Sequence, residues 1–284
     1  MSQVNSTESA HATLYHRHTL TIRVMHWINV VAFSLLLLSG LQIFNAYPAL
    51  NWGKSSYTGQ APLLQIGAVR DSQGQLVGMT RIAGHTFDTT GVLGVSKDAN
   101  ERMSARAFST WATVPGAQWL SMARRWHFFF AWLLVINGVA YLLYSLASRH
   151  MSRDLTPTRR DWRGMGQSIK DHLRFRHPSG EASRHYNILQ KLAYLSVIFG
   201  FFPLVIVAGL AMSPGLNALL PGWIDLFGGR QSARTVHFIA AWALVAFVFI
   251  HVFEVMISGL WNNLRSMITG RYRVTVQETD HAHN

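Results

Sequence analysis

The chain of 284 residues contains no cysteine. That excludes disulfides, iron–sulfur clusters, thiolate zinc sites and covalent C-x-x-C-H haem attachment, so any redox centre must be held by other ligands. Charge is scarce as well: 13% of residues are charged, against about 25% in an average soluble domain. Acidic residues are the fewest, 13 Asp and Glu against 25 Lys and Arg, a formal net charge of +12. What fills the space is apolar. Hydrophobic residues make up 49% of the chain, with 16 Phe and 10 Trp, and they are bunched into runs near 24–44, 127–147, 192–213 and 235–257. Each run has about the 20 residues needed to cross a bilayer. The pattern predicts an all-α integral membrane protein, a bundle of four transmembrane helices with a long insert at 45–126 between the first two. Glu254 is the only acidic residue in the runs, and the lack of carboxylates in their middles argues against a metal transporter.

A basic balance can mean nucleic acid, but the placement of the charge argues for topology and against a nucleic-acid partner. Segment 148–191 carries ten Lys and Arg, the loop 214–234 only Arg230 and Arg234, and the tail adds Arg265, Arg271 and Arg273. By the positive-inside rule, 148–191 and both termini are expected in the cytoplasm and 45–126 outside. The polar stretch before the first run is too long, and the run itself too long, for a cleaved signal peptide, so an uncleaved anchor is expected. Residues 1–22 read as disordered.

The insert is rich in Gly, Ser and Thr. Within it "LLQIGAVRDSQGQLVGMTRIAG" predicts a hairpin turning at Ser72–Gly74, and "DANERMSARAF" predicts a short helix capped by Asp98 with Glu101 three residues later. Trp52, Tyr57, Trp111 and Trp119 point to an ordered cap on the membrane surface. On the other side, "DWRGMGQSIKDHLRF" places Trp162, Met165, Ile169 and Leu173 at helical spacing between basic residues, the pattern of an amphipathic surface helix. Pro203 is expected to kink the third span.

Four of the fourteen histidines lie in the spans: His26, His127, His237 and His251. Polar groups inside a membrane are costly and are functional candidates by default. His237 and His251 are fourteen residues apart on one helix, which separates them by about 21 Å of rise and only about 40° of azimuth. With alternating helix directions, His127 falls at the outer level with His237, and His26 at the inner level with His251. Two neutral imidazoles at one depth suit the two axial positions of a haem iron. Gly40 is fourteen residues after His26 and Gly138 eleven after His127. Each glycine thus falls at the level of the other pair, where a macrocycle would pass close to the backbone.

"RVMHWIN", "RRWHFFFAW" and "HFIAAWALVAFVFIHV", together with "YNILQKLAYL", resemble the bacterial diheme cytochrome b family. That family comprises the membrane b-type subunits of nickel–iron hydrogenases, formate dehydrogenases and related periplasmic molybdopterin oxidoreductases. The likeness covers about 15–45 and 120–275. It implies one cytochrome b membrane domain over 1–284, with 45–126 as a periplasmic cap inserted in it. It also implies two haem b groups, a multi-pass location in the inner membrane, a periplasmic redox enzyme as partner and a membrane quinone as substrate. The long insert departs from short-loop members and is closer to those that accompany molybdopterin enzymes.

Haem propionates need cations. Arg124, Arg125, Arg230 and Arg234 are available at the outer level, and Arg17, Arg23 and Lys191 at the inner. Glu254, three residues after His251, is placed to relay protons to a quinone, and Asn187 and Gln190 to hydrogen-bond one. The function expected is electron transfer between a periplasmic redox enzyme and quinone, with the insert docking the partner. The alternative is a self-contained haem b oxidoreductase of superoxide or ferric iron coupled to quinone.

Overall fold

A computed structural model describes residues 11–56, 59–98, 100–116, 118–149, 151–174 and 187–276. Four helical stretches are long and apolar enough to span a bilayer: α1 (Leu20–Phe44), α2 (Leu120–Ala147), Ile188–Ala211, and α8 (Arg230–Ile257). They turn large apolar side chains outward, among them Phe129, Trp132, Ile136 and Phe249, each at least 60% exposed. Such a surface is unfavourable in water and natural in lipid, where the helix satisfies its own backbone polar groups. The third stretch is composite. α5 (Ile188–Ser196) passes through a wide π turn at Val197–Phe201 into α6 (Phe202–Ala211). Pro203 thereby lies in the first turn of α6, where its missing N–H leaves no intrahelical bond unmade.

The chain divides into two compact units. One comprises Ile28–Val139 and Ile198–Val245, the other Met1–Trp27, Ala140–Val197 and Ala246–Asn284. The first contains the insert, and the insert is β structure, so the fold is not all-α. Strands β2 (Ala49–Leu50), β3 (Leu64–Arg70), β4 (Leu76–Ile82) and β5 (His85–Asp88) form one antiparallel sheet in that order, and β6 (Leu93–Lys97) pairs with β7 (Met103–Phe108) in a second. The hairpin between β3 and β4 turns at 71–75. Asp71 accepts hydrogen bonds from the Gln73 and Gln75 N–H groups there, and Gly74 takes a φ of 78°. The two sheets meet backbone to backbone: a Cβ on Gly78 would stand 2.3 Å from the Leu93 carbonyl oxygen, and one on Gly94 2.2 Å from that of Gly67. Only glycine permits this approach.

The helix expected at 98–108 is instead a turn and a strand. Asp98 does cap N–H groups, those of Asn100 and Arg102 at 2.8 and 3.0 Å, but in a loop that Glu101 closes at a φ of 62°. β7 then pairs with β6 and buries Ala107 and Phe108. The cap's apolar core is Phe44, Leu50, Ile66, Ala107 and Phe108. The tryptophans named from sequence lie outside this core: Trp52, Trp111 and Trp119 are 52%, 86% and 54% exposed. Tyr57 lies outside the described residues.

In the second unit, residues 11–22 of the stretch expected to be disordered form a strand and the start of α1, while residues 1–10 lie outside the described residues. β1 (His11–His16) pairs antiparallel with β8 (Arg271–Val276) after α9 (Leu260–Thr269). The basic segment forms α3 (Arg159–Arg163) and α4 (Met165–Leu173), hinged at Gly164. Thr158 and Asp161 cap α3 reciprocally.

Candidate functional site

The intramembrane histidines come together in two pairs, each within one unit. His127 of α2 and His237 of α8 have ring centres 6.2 Å apart at 63° between planes. His26 of α1 and His251 of α8 have ring centres 6.4 Å apart at 57°. An imidazole nitrogen binds a transition metal at about 2.0–2.1 Å, with the ring centre about 1.1–1.2 Å behind it, so two rings on opposite sides of one ion stand about 6.2–6.6 Å apart. Both pairs have that spacing. Among the described residues no group of three or more His, Cys, Asp or Glu gathers as a metal site. Two protein ligands suffice where a macrocycle supplies the other donors, and all four rings are partly buried among apolar helices, the setting a haem requires.

The first pair is held from behind. His237 donates Nδ1–H to the Val205 carbonyl of α6 at 2.7 Å. His127 Nδ1 lies 3.1 Å from Ser39 Oγ, whose own hydrogen goes to the Leu35 carbonyl at 2.6 Å, so the imidazole is the donor. Both rings therefore keep Nε2 free for a metal, with tautomer and orientation fixed by the second contact. Two glycines make room. A Cβ on Gly40 would stand 3.3 Å from His127 Cε1, and one on Gly209 3.1 Å from His237 Cε1. Gly138 faces no atom within 4 Å of its would-be Cβ. Sequence reasoning missed Ser39, Val205 and Gly209. Ser39 carried a signal, a hydroxyl in an apolar run beside Gly40, but Val205 acts through its backbone and had none.

The second pair is built differently. His251 stacks on Phe247 at 5.8 Å and 15°, with Tyr194 at 6.5 Å. His26 packs edge-on against Trp27, and its Nδ1 is buried without a hydrogen-bond partner among the described residues.

The candidate cations are placed as follows. Arg234 donates to the Ala49 and Tyr47 carbonyls and lies over the Phe44 and Tyr47 rings, so it fastens α8 to the cap. Arg124 lies over Phe128 at 5.9 Å, and Arg125 with Trp126, Phe129 and Phe130 lines a groove of about 490 Å³. Arg230 is exposed. Arg23 donates to the Ile268 carbonyl, and Arg17 lies over Tyr272 at 4.7 Å. Lys191, 8% exposed, donates to Asp161 at 2.9 Å. Backbone N–H donation from Thr158, and then Lys191, hold the Asp161 carboxyl down at about 2.

The residues named for a quinone sit as follows. Asn187 and Gln190 cap α5 reciprocally, which commits one polar atom of each. Glu254 lies 3.4 Å from His172 of α4, a partner not visible in the sequence pattern.

The prokaryotic cytochrome b561 family model matches residues 17–270, which takes in all four apolar helices. The chain belongs to this family. It is thus a multi-pass membrane cytochrome of the haem b type, built for electron transfer. A relative in Azospira oryzae, YedZ1, assigned as a subunit of a protein-methionine-sulfoxide reductase, is 35% identical over 152 residues, 54% of this chain and 73% of its own length. Family membership supplies the cofactor class, haem b.

Proposed function

We propose that this cytochrome carries two haem b groups, one between His127 and His237 and one between His26 and His251. In this reading it transfers electrons across the bacterial inner membrane between quinone and a periplasmic oxidoreductase. The observation that carries the reading is the ring separation of 6.2 and 6.4 Å in two pairs drawn from three helices. Each haem, when bound, takes up and releases one electron at a time. The chain's own residues set its position and surroundings: Val205 and Ser39 fix the imidazoles of one pair, and Phe247 stacks on the other.

The positive-inside pattern supports a cytoplasmic side for α3, α4 and both termini, and a periplasmic side for the β cap. The cap then meets the partner. The assignment of YedZ1 to a reductase favours a partner that consumes electrons, with flow from quinol outward. It favours a reductase over a hydrogenase or formate dehydrogenase, and the long insert keeps a molybdopterin-type partner as the reading. Glu254 with His172 marks the quinone side. The heads of Asn187 and Gln190 serve the start of α5 and are secondary candidates there.

Pyridine haemochrome analysis of the purified protein tests the central claim. Two haem b per chain are expected, and one or none overturns it. Co-purification from the native membrane identifies the partner. A periplasmic oxidoreductase is expected, and haem reduction by quinol with superoxide or ferric iron turned over in its absence would overturn the partner role.

A further inference from the structure

Arg106, on β7 of the cap, is a buried cation with no counter-charge among the described residues. It is 7% exposed. Its Nη2 donates to Gln42 Oε1 at 2.7 Å and to Thr113 Oγ1 at 3.2 Å, and its Nε to the Phe108 carbonyl at 3.4 Å. Nη1 is buried and has no hydrogen-bond partner among the described residues. No carboxylate of the described residues lies within ion-pair distance of it. A buried charge left in this state is costly, and proteins keep one where an anion completes it. The position of its anchor says which anion. Gln42, 2% exposed, is three residues after Ser39, the hydroxyl behind His127, so it lies on the same face of α1 about 4.5 Å further along the axis. Arg106 therefore stands about one helical turn beyond the His127–His237 site, on the cap side. Arg234, three residues before His237, is hydrogen-bonded through both of its terminal nitrogens to cap carbonyls, whereas Arg106 keeps one terminal nitrogen uncommitted.

We propose that Arg106 binds a propionate carboxylate of the haem held by His127 and His237. The inference rests on the reading that a haem occupies that pair. It gives the cap a role in holding the cofactor, beyond meeting a partner. A carboxylate suits the remaining Nη1 because a charge-assisted N–H···O bond is about twice as strong as a neutral one and supplies the missing counter-charge.

The test is redox-difference infrared spectroscopy on protein loaded with haem labelled with carbon-13 at the propionate carboxylates, alongside potentiometric titration of both haems. In Arg106→Gln, the labelled carboxylate bands are expected to shift. The wave that depends on His127 and His237 should move to lower potential, because loss of a nearby positive charge favours the ferric state. The other wave stays in place and reports an intact fold. In Arg106→Lys the bands shift and the wave holds its potential. Labelled bands and waves unchanged in Arg106→Gln would overturn the proposal. If that variant fails to accumulate, unchanged bands in Arg106→Lys overturn it equally. A potential that follows chloride concentration, with no response of the labelled bands, would assign the guanidinium to a free anion and also overturn it. A wild-type protein without a haem dependent on His127 and His237 is a separate result, and it sinks the underlying reading instead.

Discussion

The carbonyl of Val205 accepts a 2.7 Å hydrogen bond from Nδ1 of His237, thirty-two residues further along the chain. Ser39 Oγ does the same for His127 at 3.1 Å. Among the described residues, the His26–His251 pair shows no such arrangement at His26. An acceptor behind an imidazole makes it a more basic ligand and favours the oxidised metal.

Ser39→Ala is therefore expected to raise the potential of one haem and leave the other unchanged. The alanine fits, since Ser39 is fully buried and only the hydroxyl is lost. The neighbouring contact gives a harsher version: Gly209→Val forces side-chain atoms within about 3 Å of His237 Cε1, which should displace the ring and convert that haem to high spin. Redox titration and visible spectra of the two variants check this. If both waves move together, the selective placement of Ser39 is wrong.

The four ligand substitutions should sort into two classes. His127→Ala and His237→Ala should disturb one haem, and His26→Ala and His251→Ala the other, because ring centres 6.2 and 6.4 Å apart leave room for one iron in each pair. Losing one ligand opens the iron, so a high-spin spectrum is as informative as haem loss. A shared effect of His127→Ala and His251→Ala on one wave would contradict the pairing.

Glu254→Gln should slow quinone turnover with both haem spectra near normal, and His172→Ala should reproduce much of the effect. The two side chains meet at 3.4 Å, so removal of either breaks the same contact. Steady-state quinol oxidation measured from pH 6 to 9 decides the matter. Wild-type rates at every pH in both variants would leave the pair a structural clasp between α4 and α8.

The Asp161–Lys191 pair should make stability acid-sensitive in a narrow window. The Asp161 carboxyl is held at about 2 in the fold, against 3.8 for the free group. Its folded value is depressed, so its contribution is complete above about pH 4 and fades as pH falls toward 2. Asp161→Asn is expected to cost about 1.5–3 kcal/mol at neutral pH, the range for a hydrogen bond to a charged group. It should also flatten the loss of thermal stability between pH 4 and 2. Thermal unfolding in detergent at each pH measures both effects, and parallel acid profiles for variant and wild type would count against the pair.

The apolar runs by themselves determined four membrane helices, and the spacing of His237 and His251 on one of them set two imidazoles at two depths. Both are local properties: run length sets span, and 1.5 Å per residue sets depth. The hairpin at Ser72–Gly74 was legible for the same reason, since its turn residues act within five positions. The strand at 103–108 was not. Asp98 and Glu101 carry a capping pattern that a helix or a loop can use, and the choice fell to β6, whose pairing and burial of Phe108 lie outside the local window. The partners behind the ligands were also out of reach. Val205 contributes a carbonyl that every residue possesses, and Arg106 stands sixty-four positions from the Gln42 it meets. Tertiary structure alone decided which hydrogen bonds close on which imidazole and which buried arginine is left with a free N–H, because burial turns an ordinary polar group into one that must find a partner.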